Sequence, residues 1–166
     1  NDGGVNITYD DGKNWIKNNS TEVGQFYSIN VDYQTPYNVY GGLQDNGVWM
    51  GPHNSIENKR WEMSGSYPWK MILGGDGMEV QIDRNQPNIV YTGSQFGSYF
   101  RLDLDSNKRT YIKPRHKLGE SPYRFNWQTP ILLSDSTGGR LYLNKFECSG
   151  AYNFDSEISI GLTSLR

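Results

Sequence analysis

The chain repeats itself at a spacing of 51 residues, and nothing else in it limits the fold as much. The segment "INVDYQTPYNVYGGLQDNG" (Ile29 to Gly47) aligns with "VQIDRNQPNIVYTGSQFG" (Val80 to Gly97). Asp32 matches Asp83, Pro36 matches Pro87 and Val39-Tyr40 matches Val90-Tyr91, while Gly42 matches Gly93 and Gln44 matches Gln95. A fainter third copy, "PILLSDSTGGRLYLN" (Pro130 to Asn144), sets Ser134 and Tyr142 one further step beyond Asp83 and Tyr91.

Each unit reads as strand. Short runs of alternating apolar residues are separated by Pro, Asn and Gly, and no segment sustains a 3.6-residue period, so a helix is expected to extend a turn or two at most. Val80-Ile82 and Val90-Tyr91-Thr92 are the first two runs of one unit. "GVWM" (Gly47 to Met50) and "SYFRLDL" (Ser98 to Leu104) supply third runs, and "RWEM" (Arg60 to Met63) and "RTYIK" (Arg109 to Lys113) supply fourth ones. Four antiparallel strands in about 50 residues describe a blade of a β-propeller. A β-sandwich accounts for the short strands but not for the constant offset. The expected fold is therefore all-β, a partial β-propeller of about three four-stranded blades. The expected division is 1–23, the outer hairpin of a first blade; 24–73 and 74–124, two blades; and 125–166, a third blade with a degenerate end. A closed propeller has about 4 to 8 blades, so 166 residues form an arc of a ring, and the chain is expected to be a piece of something longer.

This register places "TYDDGKNW" (Thr8 to Trp15) on the hairpin between a blade's third and fourth strands. Asp10 is suited to accept turn N–H groups, Gly12 to take a positive φ, and Trp15 to bury its ring and pin the hairpin to its neighbour. These residues resemble the Asp-box, or bacterial neuraminidase repeat, Ser/Thr-x-Asp-x-Gly-x-Thr-Trp, with Asn14 in place of the usual threonine. "NVYGGLQDNGVWMGP" (Asn38 to Pro52), "GGDGMEVQID" (Gly74 to Asp83) and "RFNWQTPILLS" (Arg124 to Ser134) are similar to the sortilin-like Asp-box propeller proteins of bacteria, often described as glycosyl-hydrolase repeat proteins. The resemblance runs from Asn1 to about Asn144 and implies that Thr8, Asp10, Gly12 and Trp15 are structural, with ligands bound elsewhere. An Asp-box expected near Asp155 lacks its Gly and Trp.

In a propeller, the loop leading into the innermost strand and the loop between the second and third strands open on one face. Gln25, Asp76 and Trp127 occupy equivalent positions seven residues before Asp32, Asp83 and Ser134, so they are expected on one rim of the channel. Gln44, Asp45, Asn46, Gln95 and Phe96 come from the other loops, Arg124 and Asn126 flank Trp127, and "SYPW" (Ser66 to Trp69) is expected to add an aromatic platform near the same rim. Amides, two acids, an arginine and aromatic faces suit a glycan or a peptide. Plainer roles stand beside these: "GGDG" as a tight turn with Asp76 bonding local N–H groups, "QDNG" as a hairpin turn, Trp127 packed between blades, and Arg124 paired with a carboxylate.

Glycoside hydrolysis needs two carboxylates about 5 to 9.5 Å apart, and Asp45 and Asp76 are the pair available as acid and base. A sialidase-type site would need an arginine cluster, where the rim offers Arg124. The composition narrows the remaining classes. The net charge of −2 and the lack of a long basic run speak against nucleic-acid binding, since "KRTYIKPRHK" (Lys108 to Lys117) reads as a solvated hairpin and loop. Cys148 has no partner for a disulfide, and His53 and His116 stand apart with no zinc spacing. No apolar run reaches the ~20 residues of a membrane span. Asp103-x-Asp105-x-Asn107 opens like a calcium loop, but Lys108 and Pro114 stand where glycine and glutamate belong. No metal or cofactor is expected. The host is expected to export the protein to its periplasm or surroundings, where the sequons at Asn6, Asn18 and Asn19 would matter only in a glycosylating source.

Overall fold

A computed structural model of the chain describes residues 5–18, 24–56, 58–134, 140–144 and 157–161. The strands are β1 (Val5–Ile7), β2 (Ile16–Asn18), β3 (Phe26–Val31), β4 (Asn38–Leu43), β5 (Gly47–Pro52), β6 (Lys70–Leu73), β7 (Val80–Ile82), β8 (Ile89–Ser94), β9 (Ser98–Asp103), β10 (Lys108–Tyr111), β11 (Ile131–Leu133), β12 (Arg140–Asn144) and β13 (Glu157–Gly161), with one helix, α1 (Lys59–Ser64), between β5 and β6. They form four antiparallel sheets: the hairpin β1-β2, a first four-stranded sheet β3-β4-β5-β6, a second, β7-β8-β9-β10, and a third of three described strands, β11-β12-β13. The fold is all-β, with four-stranded antiparallel sheets, and the described residues close no ring.

The 51-residue offset holds at the level of individual pairs. Asn30 faces Tyr40, Gln81 faces Tyr91 and Leu132 faces Tyr142 in the three sheets. One backbone bond closes the turn after each first strand: Asp32 N–H to Asn38 O (3.2 Å), Asp83 N–H to Ile89 O (3.0 Å) and Ser134 N–H to Arg140 O (2.8 Å). Ser134 also does the work of Asp32, since its Oγ accepts from Arg140 N–H (2.8 Å) as Asp32 Oδ1 accepts from Asn38 N–H (2.8 Å).

The first strands of the three sheets lie side by side, β7 between β3 and β11. Side-chain donors tie them together. Asn30 Nδ2 donates to Val80 O (2.9 Å), and at the equivalent place one sheet on, Gln81 Nε2 donates to Ile131 O (3.4 Å). Behind these bonds two cores alternate. Tyr40, Val48 and Leu73 of the first sheet meet Val80, Ile82, Val90 and Leu102 of the second. Tyr91 and Tyr99 of the second meet Ile131, Leu141 and Leu143 of the third. Burying a Val, Leu or Ile side chain contributes about 1.5–3 kcal/mol, so these two cores supply most of the cohesion between sheets.

Three expectations need correction. "RWEM" is not the fourth strand of its unit. Asn58 caps a helix there, its side chain accepting from Arg60 N–H (2.9 Å), and Gly65 ends it in the left-handed conformation, so the fourth strand is β6. "SYPW" lies beyond Pro52, at the end of the first sheet away from Gln44–Asn46. Trp69 there covers the Cα of Gly51 and donates from Nε1 to Ser55 Oγ (3.3 Å). Trp15 does not bury its ring; it is 62% exposed, lies over Gly12 and donates to Gly12 O (3.1 Å). The third sheet keeps the register through its second strand and leaves it after Asn144, where the sequence resemblance also stops. Tyr142 pairs with Ser159, seven residues later than the Tyr152 that the 51-residue spacing predicts. The Asp-box expected near Asp155 falls outside the described residues.

The "TYDDGKNW" turn is otherwise as its chemistry suggests. Thr8 Oγ1 donates to Asp10 Oδ1 (3.0 Å) and accepts from Gly12 N–H (2.9 Å). The Asp10 carboxylate accepts from the N–H (2.9 Å) and the side-chain amide of Asn14, and Gly12 has a φ of 85°. The Asn14 N–H, above all, holds the Asp10 carboxyl below its ordinary value. Asn14 thus adds an amide donor from the position where the repeat has threonine.

Candidate functional site

The rim forms because each sheet's β-turn must be tied to the segment leading into the next sheet. In the first two sheets this turn is Gln44–Gly47 and Gln95–Ser98, with Asp45 (φ 59°) and Phe96 (φ 58°) both left-handed and a positive-φ glycine following, Gly47 two residues on and Gly97 one residue on. Gln44 N–H donates to Gln25 O (2.9 Å), which brings those two predicted residues together. Asp45 N–H donates to Asp76 Oδ1 (2.8 Å), and at the equivalent place in the next sheet Phe96 N–H donates to Trp127 O (3.1 Å). Asp76 and Trp127 therefore fill one structural position, the first with a carboxylate and the second with a backbone carbonyl.

Asp76 is committed on both sides, because its Oδ2 accepts from Gln95 Nε2 (3.0 Å). "GGDG" is thus more than a local turn. Gly47 N–H donates to Gly75 O (2.7 Å) and Gly77 N–H to Leu43 O (2.9 Å), so the segment is stitched onto the neighbouring sheet. Glycine is needed at 77 for space, since a Cβ there would sit 2.1 Å from Gly47 O. Asn46, expected as a ligand group, donates to Gln44 O (3.1 Å) within its own turn.

Gln25, Asp45, Asn46, Arg124 and Asn126 are exposed here, and two aromatic rings are exposed with them. Trp127 (44% exposed) and Phe96 (50% exposed) meet edge to face, with ring centroids 5.4 Å apart. Trp127 Nε1 donates to Tyr27 OH (3.2 Å), joining the first sheet to the segment before the third. Tyr27 was not legible as a site residue. Nor were Lys113 and Phe125: Lys113 Nζ donates to Phe96 O (2.8 Å) and stands over the Phe125 ring, which fills the space beside Gly97. Arg124 and Asn126 are exposed beside Trp127; the Arg124 guanidinium meets no carboxylate among the described residues, and Asn126 holds Thr129 Oγ1 through its carbonyl (3.0 Å).

Two features away from the rim escaped the sequence reading. Glu79, half-buried between the second and third sheets, accepts from Ile131 N–H (3.0 Å), and burial raises its carboxyl above the ordinary value. A cleft of roughly 450 Å³ opens at the opposite end, between the first two four-stranded sheets, bounded by Tyr40, Lys70, Leu102, Lys108 and Arg109. The acids at its edge serve their own turns. Asp32 accepts from Asn38 and Tyr40, and Asp103 Oδ1 accepts from Asp105 N–H (3.1 Å) and Asn88 (3.2 Å). No group of three metal-ligating side chains occurs among the described residues, and no helix is long and apolar enough to cross a membrane.

Comparisons with protein-family models, with curated proteins and with solved structures returned no match.

Proposed function

We propose that this chain is an arc of an Asp-box-type β-propeller, exported by its host, that acts as a recognition or scaffold module and takes a peptide or a glycan on the rim. The observation that carries this reading is the exposed Trp127–Phe96 pair, backed by Tyr27 and set beside a seam held by Asp76 and Gln95. A rigid aromatic surface of this kind binds by stacking on the apolar faces of sugars or side chains. The pairing of first and second strands, shared by the three sheets, supports the propeller arrangement.

The adjacency of Asp45 and Asp76 also admits a hydrolase site, with these two as acid and base. Against it, both Asp76 oxygens already accept hydrogen bonds that hold the seam between sheets. Titration of a glycan array and a peptide library against the chain, followed by tryptophan fluorescence, tests the reading. Trp127→Ala keeps the backbone carbonyl that receives Phe96 N–H and is expected to weaken binding about tenfold or more. Absence of any ligand, or a variant that binds like the wild type, refutes recognition at this rim. Glycan hydrolysis lost in both Asp76→Ala and Asp45→Ala would establish the enzymatic reading instead.

A further inference from the structure

The cleft between the first two four-stranded sheets lies at a junction internal to the chain, and both of its sheets have all four strands. Strand register assigns its walls, because residues directly opposite each other share a face. Lys70 stands opposite Met50, and Met50 opposite Tyr40, on the face that the first sheet turns to the second. Arg109 stands opposite Leu102, and Leu102 opposite Val90, on the face that the second sheet turns back. Lys70 and Arg109 therefore flank the cleft from opposed walls, and both are exposed. Between them Met50, Ile72 and Leu104 form an apolar floor, part-buried against the core.

The next junction has a different residue at this place. There Tyr91 faces Arg101 where Tyr40 faces Met50. Burial raises the Tyr91 hydroxyl above its ordinary value and the Arg101 guanidinium opposes the rise, so that cation serves the tyrosine. In the first junction Tyr40 OH donates to Asp32 of its own sheet (3.3 Å), which leaves Met50 to line the cleft. Neither Lys70 nor Arg109 bonds a carboxylate among the described residues. The acids nearby are committed. Asp32 is 2% exposed and also accepts from Asn38 N–H and Nδ2 (both 2.8 Å). Asp103 stands opposite Lys108 and accepts N–H groups of its own turn. Asp105, in that turn, remains against the two facing cations.

We propose that this cleft binds an extended acidic peptide, with an apolar side chain on Met50, Ile72 and Leu104 and carboxylates on either side of it meeting Lys70 and Arg109. Its volume of about 450 Å³ is at the small end of ligand sites, which suits a short segment. The exposed amides of Gln34 and Asn107 at its edge suit peptide N–H and C=O groups, which a simple apolar anion lacks. The cleft lies at the opposite end of the sheets from Trp127 and Phe96, so it is a second site and does not rest on the rim.

Fluorescence anisotropy of the intact chain reads the binding. The probes are short labelled peptides that alternate Glu with Leu or Phe, beside the same peptides with Lys in place of Glu. The Glu peptides are expected to bind and the Lys peptides not, and salt at about 0.5 M is expected to weaken binding about tenfold. Lys70→Glu and Arg109→Glu change exposed side chains, so each is expected to keep the wild-type urea midpoint and to weaken the Glu peptides about tenfold. Met50→Arg puts the residue of the second junction on the floor and is expected to weaken them as much. Trp127→Ala is expected to leave them unchanged. Glu peptides that do not bind, Lys peptides that bind as well, or indifference to both charge reversals overturns the proposal. Binding of decanoate in place of the peptides, weakened by the same reversals, overturns the peptide as occupant. Loss of binding in Trp127→Ala with none in Met50→Arg overturns the cleft and leaves the rim reading standing.

Discussion

The seam between the first two four-stranded sheets makes a sharp prediction at Gly77. This glycine does not have the positive φ that would demand glycine for its own sake. Its constraint is space. A Cβ would lie 2.1 Å from Gly47 O, 2.6 Å from Gly47 C and 2.9 Å from the Cα of Gly42. Ordinary contacts fall near 3.5–4.0 Å, so the backbones must part by more than about 1 Å. None of the atoms met is the end of a flexible side chain. Parting strains the bonds from Gly77 N–H to Leu43 O (2.9 Å), from Gly47 N–H to Gly75 O (2.7 Å) and from Asp45 N–H to Asp76 Oδ1 (2.8 Å). Overpacking costs about 1–3 kcal/mol and one unsatisfied buried group adds about as much, so Gly77→Ala is expected to destabilise by about 4 kcal/mol. Gly74, three residues earlier, is exposed and has nothing within 4 Å of the same added atom, so Gly74→Ala should stay within about 0.5 kcal/mol. Urea denaturation followed by tryptophan fluorescence compares the two. A Gly77→Ala variant within about 1 kcal/mol of wild type would refute the claim that close backbone approach holds these sheets together.

Tyr99 is fully buried and its hydroxyl donates to Thr129 O (2.6 Å), so Tyr99→Phe should cost about 1–2 kcal/mol in the same denaturation experiment, through the acceptor left without its partner. Glu79 gives a pH dependence of determined sign. Its folded pKa is raised by burial, so its contribution to stability is fully present below the ordinary glutamate value and is lost as pH rises through the folded one; Glu79→Gln should therefore become more stable relative to wild type as pH increases, and midpoints that shift in parallel across pH 4 to 8 would contradict the burial argument.

The repeat was legible because its marks are chemical requirements that recur: a turn-closing acceptor at Asp32, Asp83 and Ser134, and a tyrosine facing the first strand at Tyr40, Tyr91 and Tyr142. The first-sheet insertion was misread because apolar Trp61 and Met63 looked like strand, while the deciding signals were Asn58 at the cap and Gly65 at the stop, six residues of helix apart. That Gln25, Asp76 and Trp127 lie beside the turns at Gln44 and Gln95 is in keeping with their spacing. Their roles did not follow from it, because Asp76 bonds a residue 31 positions away and Trp127 one 100 away, and such partners emerge only when sheets are laid side by side. Glu79 gave no sign in the sequence, since its repeat counterparts are Ser28 and Pro130.

The bonds that join the first strands have donor side chains and backbone acceptors, Asn30 to Val80 O and Gln81 to Ile131 O. Every residue carries a carbonyl, so the receiving side of such a junction asks nothing of its own sequence. A unit placed beside another thus needs one amide from its neighbour for this bond, and a matching apolar face for the core. The hydrogen bond therefore leaves the receiving side chain to answer only to the core behind it, where Val80 and Ile131 are both buried.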